Sequence, residues 1–371
     1  MRHAEIQAVE KSLPKIADHG AALFFLAKRY AQIGDLDKGL ALLKECIALD
    51  QGFDPSEAPQ FEALRSDPEF QALVERVHQR YAPVDRARVA FTISETDLFP
   101  EGLALDVDRN VFYMGSAKQK IVRITEAGKV SEFVEPGAYR FPELNGIKVD
   151  SKDQGLWVAS ADENSSELLH FDPRGKLLEH FPPPGGGRHA LNDLVLHGPR
   201  EIYVTDTLAH QVYCFDREQH RFTPVLFHRP LLYPNGIALS DNGKLLYVAD
   251  ILGAIQVDLE NKQTREVDPG RHSMLAGIDG LYWYKGSLVG VQYGNGPYRV
   301  ARWKLSPDGL KVASTEVFEY RAPLISFPTT GAITKGKFYF IANTGIGNYK
   351  DGKVVDPRKL EPIHIAVVQL D

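Results

Sequence analysis

Short apolar runs separated by polar turns recur along most of the chain at a regular interval. Each of six repeats opens with a polar side chain directly before an apolar run, as in EGLALD, NGIKVD and NGIALS. These six residues are Glu101, Asn145, Asn192, Asn235, Asp279 and Thr330, with successive gaps of 44, 47, 43, 44 and 51 residues. A second apolar run follows in every repeat, as in VFYMGS and EIYVTD. Repeats of roughly 40 to 50 residues built from short strands are typical of β-propellers, so the pattern predicts an all-β propeller with six four-stranded blades.

The polar residue at the head of each repeat is expected at the start of the strand nearest the propeller axis. All six residues then face the same mouth of the central channel, and we name them the blade-start ring. Carboxylate and amide oxygens without cysteine or clustered histidine are ligands for a hard cation, above all Ca²⁺, which takes about six to eight oxygens. The ring is therefore predicted to hold a divalent cation. The alternative is that these side chains cap strand ends and line a water-filled channel.

Two further strand patterns lie at the ends of the repeat region. RVAFTIS spans residues 88–94 and IHIAVVQL spans residues 363–370. A propeller closes when strands from both ends of the repeat region share one blade, which leaves no open edge between the first and last blades. We therefore predict that these two segments complete the sixth blade, and that the propeller occupies residues 86–371.

The first 85 residues follow a helical period instead. Apolar side chains recur at helical spacing in three runs, at Leu23, Leu26 and Tyr30, at Leu40, Leu43 and Ile47, and at Phe61, Leu64, Phe70, Leu73 and Val77. Gly34 and Asp35 supply a helix stop and a helix start between the first two runs. Residues 1–85, which we name the helical segment, resemble one tetratricopeptide-type unit. The segment is interpreted as a cap on the propeller, with binding of a protein partner as the alternative.

Composition, charge and motifs narrow the function classes. Of 371 residues, 43% are apolar and 25% are charged, and the net charge is −6 without a basic run. Nucleic acid and membrane surfaces are therefore not expected partners. The chain contains neither a G-x-S-x-G nucleophile elbow nor an H-E-x-x-H zinc motif.

The cellular compartment is also constrained by the sequence. Cys46 and Cys214 lie in different segments and suggest no disulfide framework. No apolar stretch approaches the ~20 residues of a membrane span. The N-terminus lacks the apolar core of a signal peptide, which favours a cytoplasmic location. A periplasmic or secreted location is the alternative if a leader has been removed.

The segments FPEGLALD, LNDLVLHGPREIYVTDT, YPNGIALSDNGKLLYVAD and GIDGLYWY resemble the senescence marker protein, gluconolactonase and luciferin-regenerating enzyme family of six-bladed propellers. The resemblance covers residues 88–371 and does not extend to the helical segment. It implies a lactonase-like hydrolase that depends on Ca²⁺, with Zn²⁺ or Mn²⁺ as alternative cations. The residues implied as metal ligands are Glu101, Asn192, Asn235 and Asp279.

The resemblance also implies roles around the cation. Asp279 is implied as the general base, because the family places that role on the blade-five aspartate. His189 is a second candidate, since it lies three residues before Asn192 and histidine titrates near neutrality. Residues expected to contact substrate, in the ring or beside it, are Asn145, Arg140, Tyr233, Tyr293 and Thr330. The expected substrate is a small lactone or related ester. The alternative is a non-catalytic propeller with a structural ion, which binds a ligand or a protein partner.

Overall fold

The computed structural model describes residues 2–139, 141–294, 296–350 and 352–371. Six antiparallel sheets surround one axis, and the first strand of each sheet contacts the first strand of the next in a closed circle. Each sheet contains the four strands of one blade, and a fifth short strand joins blade five. The predicted six-bladed β-propeller is therefore confirmed.

The strands of each blade follow one another in sequence from the axis outward, except at the closing blade. Blade one contains Pro100–Asp106, Val111–Ser116, Lys120–Thr125 and Val130–Val134, and blade two contains Leu144–Val149, Leu156–Ala161, Ser166–Phe171 and Leu177–Phe181. Blade three contains Leu191–His197, Glu201–Asp206, Gln211–Asp216 and Arg221–Pro224, and blade four contains Ile237–Leu239, Leu245–Asp250, Gly253–Asp258 and Gln263–Glu266. Blade five contains Ile278–Tyr284, Ser287–Gln292, Arg299–Leu305 and Val312–Tyr320.

Blade six is built from both ends of the repeat region. Gly331–Thr334 and Lys337–Ile341 are its first two strands, Ile363–Gln369 is the third and Arg88–Ile93 is the outermost. The outer two strands pair in an antiparallel register from Arg88 opposite Val367 to Ile93 opposite Ile363. The predicted closure is confirmed. Between the second and third strands, Tyr349–Lys350 pairs with Lys353–Val354, flanked by 3₁₀ turns at Ile346–Asn348 and Pro357–Lys359.

Glycine follows the blade-start residue in five of the six blades. A Cβ atom at Gly102 would lie 2.0 Å from the carbonyl oxygen of Asn145, and a Cβ atom at Gly236 would lie 2.4 Å from the carbonyl oxygen of Asp279. The first strands of neighbouring blades thus approach too closely there for a side chain. Blade three is the exception, because Asp193 stands at this position and is only 1% exposed.

The helical segment contains α1 (Arg2–Ser12), α2 (His19–Gln32), α3 (Leu36–Ala48) and α4 (Pro68–Arg80), with 3₁₀ turns at Leu13–Lys15 and Pro59–Leu64. Gly34, with φ of 88°, ends α2, and the Asp35 side chain accepts a hydrogen bond from the Lys38 amide at the start of α3. The predicted stop and start signals are therefore confirmed. In the ranges that the structure describes, no helix is both long enough and apolar enough to cross a membrane.

The helical segment packs on blades four and five, on the face that carries the blade-start ring. Its apolar side chains form shared cores with Leu232 and Leu252 and with Met274 and Ala276, which lie in loops at that face. We name this contact the cap interface. Asp18 joins its two sides, because one carboxylate oxygen accepts the Ala21 amide at the start of α2 while the other accepts the Leu275 amide. Whether the segment serves as a cap or also binds a protein partner stays a prediction.

The last two residues of the helical segment belong to a sheet. Val84 and Asp85 pair with Tyr320 and Glu319 of blade five in an antiparallel register. The chain thus continues from the helices into the propeller without a long linker. The division into separate domains at residues 1–85 and 86–371 stays a prediction.

Candidate functional site

The blade-start ring lies where the first strands begin. Glu101, Asn145, Asn192 and Asp279 are each the second residue of their strand, Asn235 precedes Ile237 by two residues, and Thr330 directly precedes Gly331. Because the first strands are neighbours around the axis and run in the same direction, these side chains lie at the same mouth of the channel. The repeat spacing therefore translates into a ring of polar groups.

The two carboxylates of the ring influence each other electrostatically; Asp279 is buried and Glu101 is partly buried. Burial raises the pKa of Glu101 well above its ordinary value, and the negative charge of Asp279 raises it further. Burial also raises the pKa of Asp279 from 3.8 to about 7; a hydrogen bond from Asn235 opposes this change and the charge of Asp193 adds to it. Two carboxylates that disfavour each other's ionised form are stabilised when a cation lies between them.

The three asparagines of the ring commit their amide nitrogens to the protein. Asn145 donates to the Leu191 carbonyl at 2.9 Å, Asn192 to the Thr207 hydroxyl at 3.2 Å, and Asn235 to the Asp279 carboxylate at 2.6 Å. The Oδ1 atom of Asn235 is buried and has no hydrogen-bond partner among the described residues. A buried acceptor without a partner costs about 1–3 kcal/mol, so this oxygen is available for a ligand.

The donor chemistry of the ring fits a hard divalent cation. Two carboxylates would offset its two charges, and amide oxygens would complete the coordination, which is the set that Ca²⁺ prefers. The unpartnered oxygen of Asn235, beside the buried carboxylate of Asp279, is the observation that favours a cation at this position. The roles of Glu101, Asn192, Asn235 and Asp279 as ligands, and the identity of the ion, stay predictions.

Two of the predicted substrate residues use their hydroxyl groups within the protein. The Thr330 hydroxyl donates to the Glu101 carbonyl at 2.6 Å and accepts the Leu103 amide at 3.0 Å, which joins blade six to blade one. The Tyr233 hydroxyl donates to the Glu5 carboxylate of α1 at 2.5 Å. Both side chains shape the mouth through these contacts, and direct contact with substrate stays a prediction.

Tyr293 stands closer to the open mouth. It is 46% exposed and packs against Tyr298 and Phe327, with ring centroids 5.9 Å and 5.6 Å away. Partial burial raises the pKa of Tyr293, and the charges of Asp279 and Glu101 add to the increase. The phenol therefore lies within electrostatic reach of the ring carboxylates.

A cavity of about 590 Å³ adjoins the ring, and we name it the ring-side cavity. Asn145 lines it together with Glu143 and Tyr349, and Arg188 and Lys350 add positive charge. A second cavity of about 450 Å³ opens at the opposite mouth of the channel and has mainly aliphatic walls. Only the first brings a ring side chain to a cavity surface, so the ring-side cavity is the candidate substrate site.

Arg140, the remaining predicted substrate residue, lies outside the described residues.

His189 is held by a buried carboxylate. Its Nδ1 donates to Asp206 at 2.6 Å, and Asp206, which has no exposed surface, also accepts the Ala190 amide at 2.8 Å. The Nε2 atom of His189 is buried and finds no partner within the part of the chain that is described. An imidazole fixed at Nδ1 by a carboxylate, with Nε2 available, has the arrangement of a general base.

The contact between His189 and Asp206 has structural counterparts in other blades. The last residue of the second strand reaches back to the loop before the first strand: Ser116 donates to the Leu98 carbonyl, and Asp250 accepts from Arg229 at 2.6 Å. Asp206 occupies the equivalent position in blade three. The sequence pattern did not single out Asp206, although its place at the end of EIYVTD matches that of Asp250 at the end of LLYVAD.

The two threonines on either side of Asp206 form hydrogen bonds with residues of the ring. The Thr207 hydroxyl accepts the side-chain amide of Asn192, and the Thr205 hydroxyl donates to the Asn235 carbonyl at 2.8 Å. Because Thr207 takes the Asn192 nitrogen, the amide oxygen of Asn192 is the atom left for a ligand. Neither threonine could be recognised as a site residue from the sequence, because both lie in EIYVTDT, which resembles the second strands of the other blades.

A separate group of potential metal ligands lies at the far end of the first strand of blade two. It consists of Asp150, Asp153 and His170. Asp150 accepts a hydrogen bond from Trp157 Nε1 and forms an ion pair with Arg217. Because the Arg217 guanidinium already offsets the charge of Asp150, we interpret these three residues as part of an ion-pair network and not as a metal site.

Comparison of the sequence with known proteins identifies distant relatives only. No family model matches the chain. An uncharacterized protein named YncE from Salmonella typhi is 29% identical over 182 residues, which cover 47% of this chain and 46% of that protein. The chain therefore spans about half the length of the curated relatives it matches. Nothing in these matches supports the tetratricopeptide-type resemblance of the helical segment.

Comparison with solved structures confirms the fold class. A PQQ-bound aldose sugar dehydrogenase from Streptomyces coelicolor is similar with a TM-score of 0.55 and 15% identity over 77% of this chain and 99% of that one. A gluconolactonase from Xanthomonas campestris is similar with a TM-score of 0.54 and 16% identity, over 78% and 97% of the two chains. A luciferin-regenerating enzyme is similar with a TM-score of 0.51 and 12% identity, over 78% and 95%. At these identities the likeness shows the fold alone, and the fold carries more than one chemistry.

Proposed function

We propose that this protein is a metal-dependent hydrolase that opens a small lactone or related ester in the ring-side cavity, with Ca²⁺ as its cation. The observation that carries the proposal is the pair of partly buried Glu101 and buried Asp279, beside the unpartnered amide oxygen of Asn235. Such a group of oxygens is unfavourable in a folded protein unless a positive charge joins it. The similar fold of a gluconolactonase supports the choice of reaction.

The chemistry of each residue in and beside the ring suggests its role in hydrolysis. A divalent cation, when bound, polarises a carbonyl and so makes its carbon open to attack by water. Glu101, Asn192, Asn235 and Asp279 would hold the cation. Asn145 lines the ring-side cavity, where its amide oxygen can accept a hydrogen bond from a substrate hydroxyl. Tyr293 offers an exposed aromatic surface at the mouth.

Hydrolysis of a lactone needs a group that takes a proton from water and delivers a proton to the departing ring oxygen. The oxygen of water bonds to the carbonyl carbon, the ring C–O bond breaks, and a proton from water reaches the departing oxygen. Asp279 is one candidate for this transfer, although a role as cation ligand weakens it as a base. His189 is the other candidate, since Asp206 holds Nδ1 and leaves Nε2 to accept the proton.

The proposal is tested with a panel of sugar lactones, aliphatic lactones and aryl esters. The protein is treated with a chelator and then assayed with Ca²⁺, Mn²⁺ or Zn²⁺ added back. We expect hydrolysis of at least one lactone that depends on the cation and is reduced by Glu101→Gln. Glu316→Gln, an acid-to-amide change at a half-exposed side chain of blade five, serves as the matched control and retains activity. A protein that binds a cation yet hydrolyses no member of the panel would favour the non-catalytic alternative.

A further inference from the structure

An ion pair lies inside the channel, one layer below the blade-start ring. Lys148, on the first strand of blade two, donates from Nζ to Oδ1 of Asp193 at 2.9 Å. The same Asp193 oxygen accepts the Leu194 amide at 2.8 Å. The Oδ2 atom of Asp193 is buried and has no hydrogen-bond partner in the described ranges. Asp193 is the residue that interrupts the series of glycines after the blade-start residues.

The charge of Asp193 acts on the ring above it. Asp193 directly follows Asn192 of the ring, and its Oδ1 would lie 2.9 Å from a Cβ atom placed at Gly146, the residue after Asn145, so its carboxylate lies beside the ring. Lys148 lies on the other side of this carboxylate, with Nζ 5.7 Å from the ring centroid of Tyr282, and it lines the cavity at the opposite mouth. The ammonium group is therefore a cation built into the channel wall beneath the ring.

We propose that Lys148 is a fixed internal counter-charge that sets how tightly the ring binds a divalent cation. The inference rests on the cation site of the proposed function. Without the ammonium, the carboxylates of Glu101, Asp193 and Asp279 would together present three negative charges. Lys148 offsets one of these three charges, so less negative charge remains to attract the cation. Lys148 is thus a positioning residue that acts through charge, since it pairs with Asp193 and makes no contact that would hold the cation itself.

The two members of the pair are expected to change cation affinity in opposite directions. Lys148→Met leaves the Asp193 charge uncompensated, so the ring attracts a cation more strongly. Asp193→Asn leaves the ammonium uncompensated, so the ring attracts a cation less strongly. At an effective dielectric constant of about 20, one unit charge beside the ring should change the affinity for a divalent cation by about tenfold or more in each direction. The double variant removes both charges and returns the affinity close to that of the wild type.

The experiment measures Ca²⁺ affinity of the chelator-treated full chain by calorimetry and by competition with a fluorescent chelator. Lys148→Arg keeps the charge and is expected to keep the wild-type affinity. Arg217→Met is the matched control, because Arg217 and Asp150 also form a buried ion pair, with side chains 9% and 4% exposed, but outside the channel. This control is expected to lower thermal stability without changing Ca²⁺ affinity.

Partial unfolding would weaken Ca²⁺ binding in both single variants, so it cannot produce affinity changes of opposite sign in Lys148→Met and Asp193→Asn. Should Lys148→Met fail to fold, weaker binding by Asp193→Asn and recovery in the double variant still carry the test. Wild-type binding together with equal affinities in all variants, or shifts in the same direction, would overturn the counter-charge and leave the proposed function intact. Absence of Ca²⁺ binding by the wild-type protein would overturn both.

Discussion

The blade-start ring and the cap interface each bury an aspartate whose pKa is raised to about 7, Asp279 in the ring and Asp18 in the interface. Their surroundings differ. Both oxygens of Asp18 accept backbone amides, from Ala21 and from Leu275. Asp279 instead is bonded to Asn235, whose amide oxygen has no partner among the described residues.

This difference separates a structural carboxylate from a candidate functional one. Burial disfavours the charged form in both places, so a raised pKa by itself does not mark a site. At the cap interface every polar atom of Asp18 is used to attach a helix to a blade. In the ring, acceptor atoms remain for a ligand. Between these two aspartates, the unpartnered amide oxygen beside Asp279, more than burial, marks the ring as the candidate site.

The largest effect is expected from Asp279→Asn, which keeps the size of the side chain and one oxygen but removes the charge. If Asp279 both binds the cation and takes the proton, turnover of a hydrolysed lactone should fall by roughly 10² to 10⁴ even at saturating cation, because a general base is lost. Steady-state kinetics over a range of Ca²⁺ concentrations provides the measurement.

Two variants give the comparison for Asp279→Asn. Glu101→Gln should act mainly through cation affinity, so excess cation should restore part of its activity. His189→Ala should change turnover little if the Asp206 contact is only structural. Near-normal turnover in Asp279→Asn with complete loss in His189→Ala would move the proton transfer to the histidine.

At the cap interface, Asp18→Asn should remove a pH dependence of stability. The pKa of Asp18 is raised in the folded protein from 3.8 to about 7, so its favourable contribution is full below pH 3.8 and is lost as pH rises through 7. For the wild type this group lowers the free energy of unfolding by up to roughly 4 kcal/mol across that window. Denaturant unfolding at several pH values between 4 and 8 should show a smaller change for the variant.

Asp35→Asn is the matched control for Asp18→Asn. Asp35 also accepts an amide at the start of a helix, but its side chain is exposed. The control should retain the pH dependence of the wild type. An Asp18→Asn protein with the wild-type slope would mean that the buried carboxylate does not titrate in this range.

Removal of the cation should affect the ring and leave the cap interface unchanged. A ligand that binds only the folded state at a hundredfold excess over its Kd stabilises that state by about 2.7 kcal/mol. Thermal melts with chelator and with Ca²⁺ should therefore differ by several degrees in the wild type and in Asp18→Asn. The difference should be smaller in Asp279→Asn at the same Ca²⁺ concentration, because this variant should bind the cation more weakly. Identical wild-type melts would exclude a tightly held ion.

The smallest effect is expected from Thr207→Val, which removes the hydroxyl that holds the amide nitrogen of Asn192. Residues that orient ligands typically contribute about tenfold or more to metal affinity, so calorimetry should show Ca²⁺ binding weakened by about tenfold. Thr223→Val, at an exposed position of blade three, should leave affinity unchanged. Unchanged affinity in Thr207→Val would mean that Asn192 does not depend on this contact.

The fold and the ring could be predicted because both follow from spacing. A period of 43 to 51 residues places one polar side chain at the start of each inner strand, and this needs no knowledge of long-range contacts. The partners of those side chains could not be predicted in this way. The Tyr233 hydroxyl beside the ring, for example, is bonded to Glu5, 228 positions earlier in the chain. Asp193 and Lys148, which lie 45 positions apart, also meet only after neighbouring blades pack.

The pairing of Arg88–Ile93 with Ile363–Gln369 affects how the chain is synthesised. A ribosome adds about 5–20 residues per second, so the earlier strand leaves the exit tunnel many seconds before its partner exists. During that time the growing chain is an open arc whose unpaired strand edges can pair with other chains. A chain that stops before Ile363 would lack the strand that pairs with Arg88–Ile93, so the arc would not become a ring. Synthesis of Ile363–Gln369 thus allows the open arc to close into a ring.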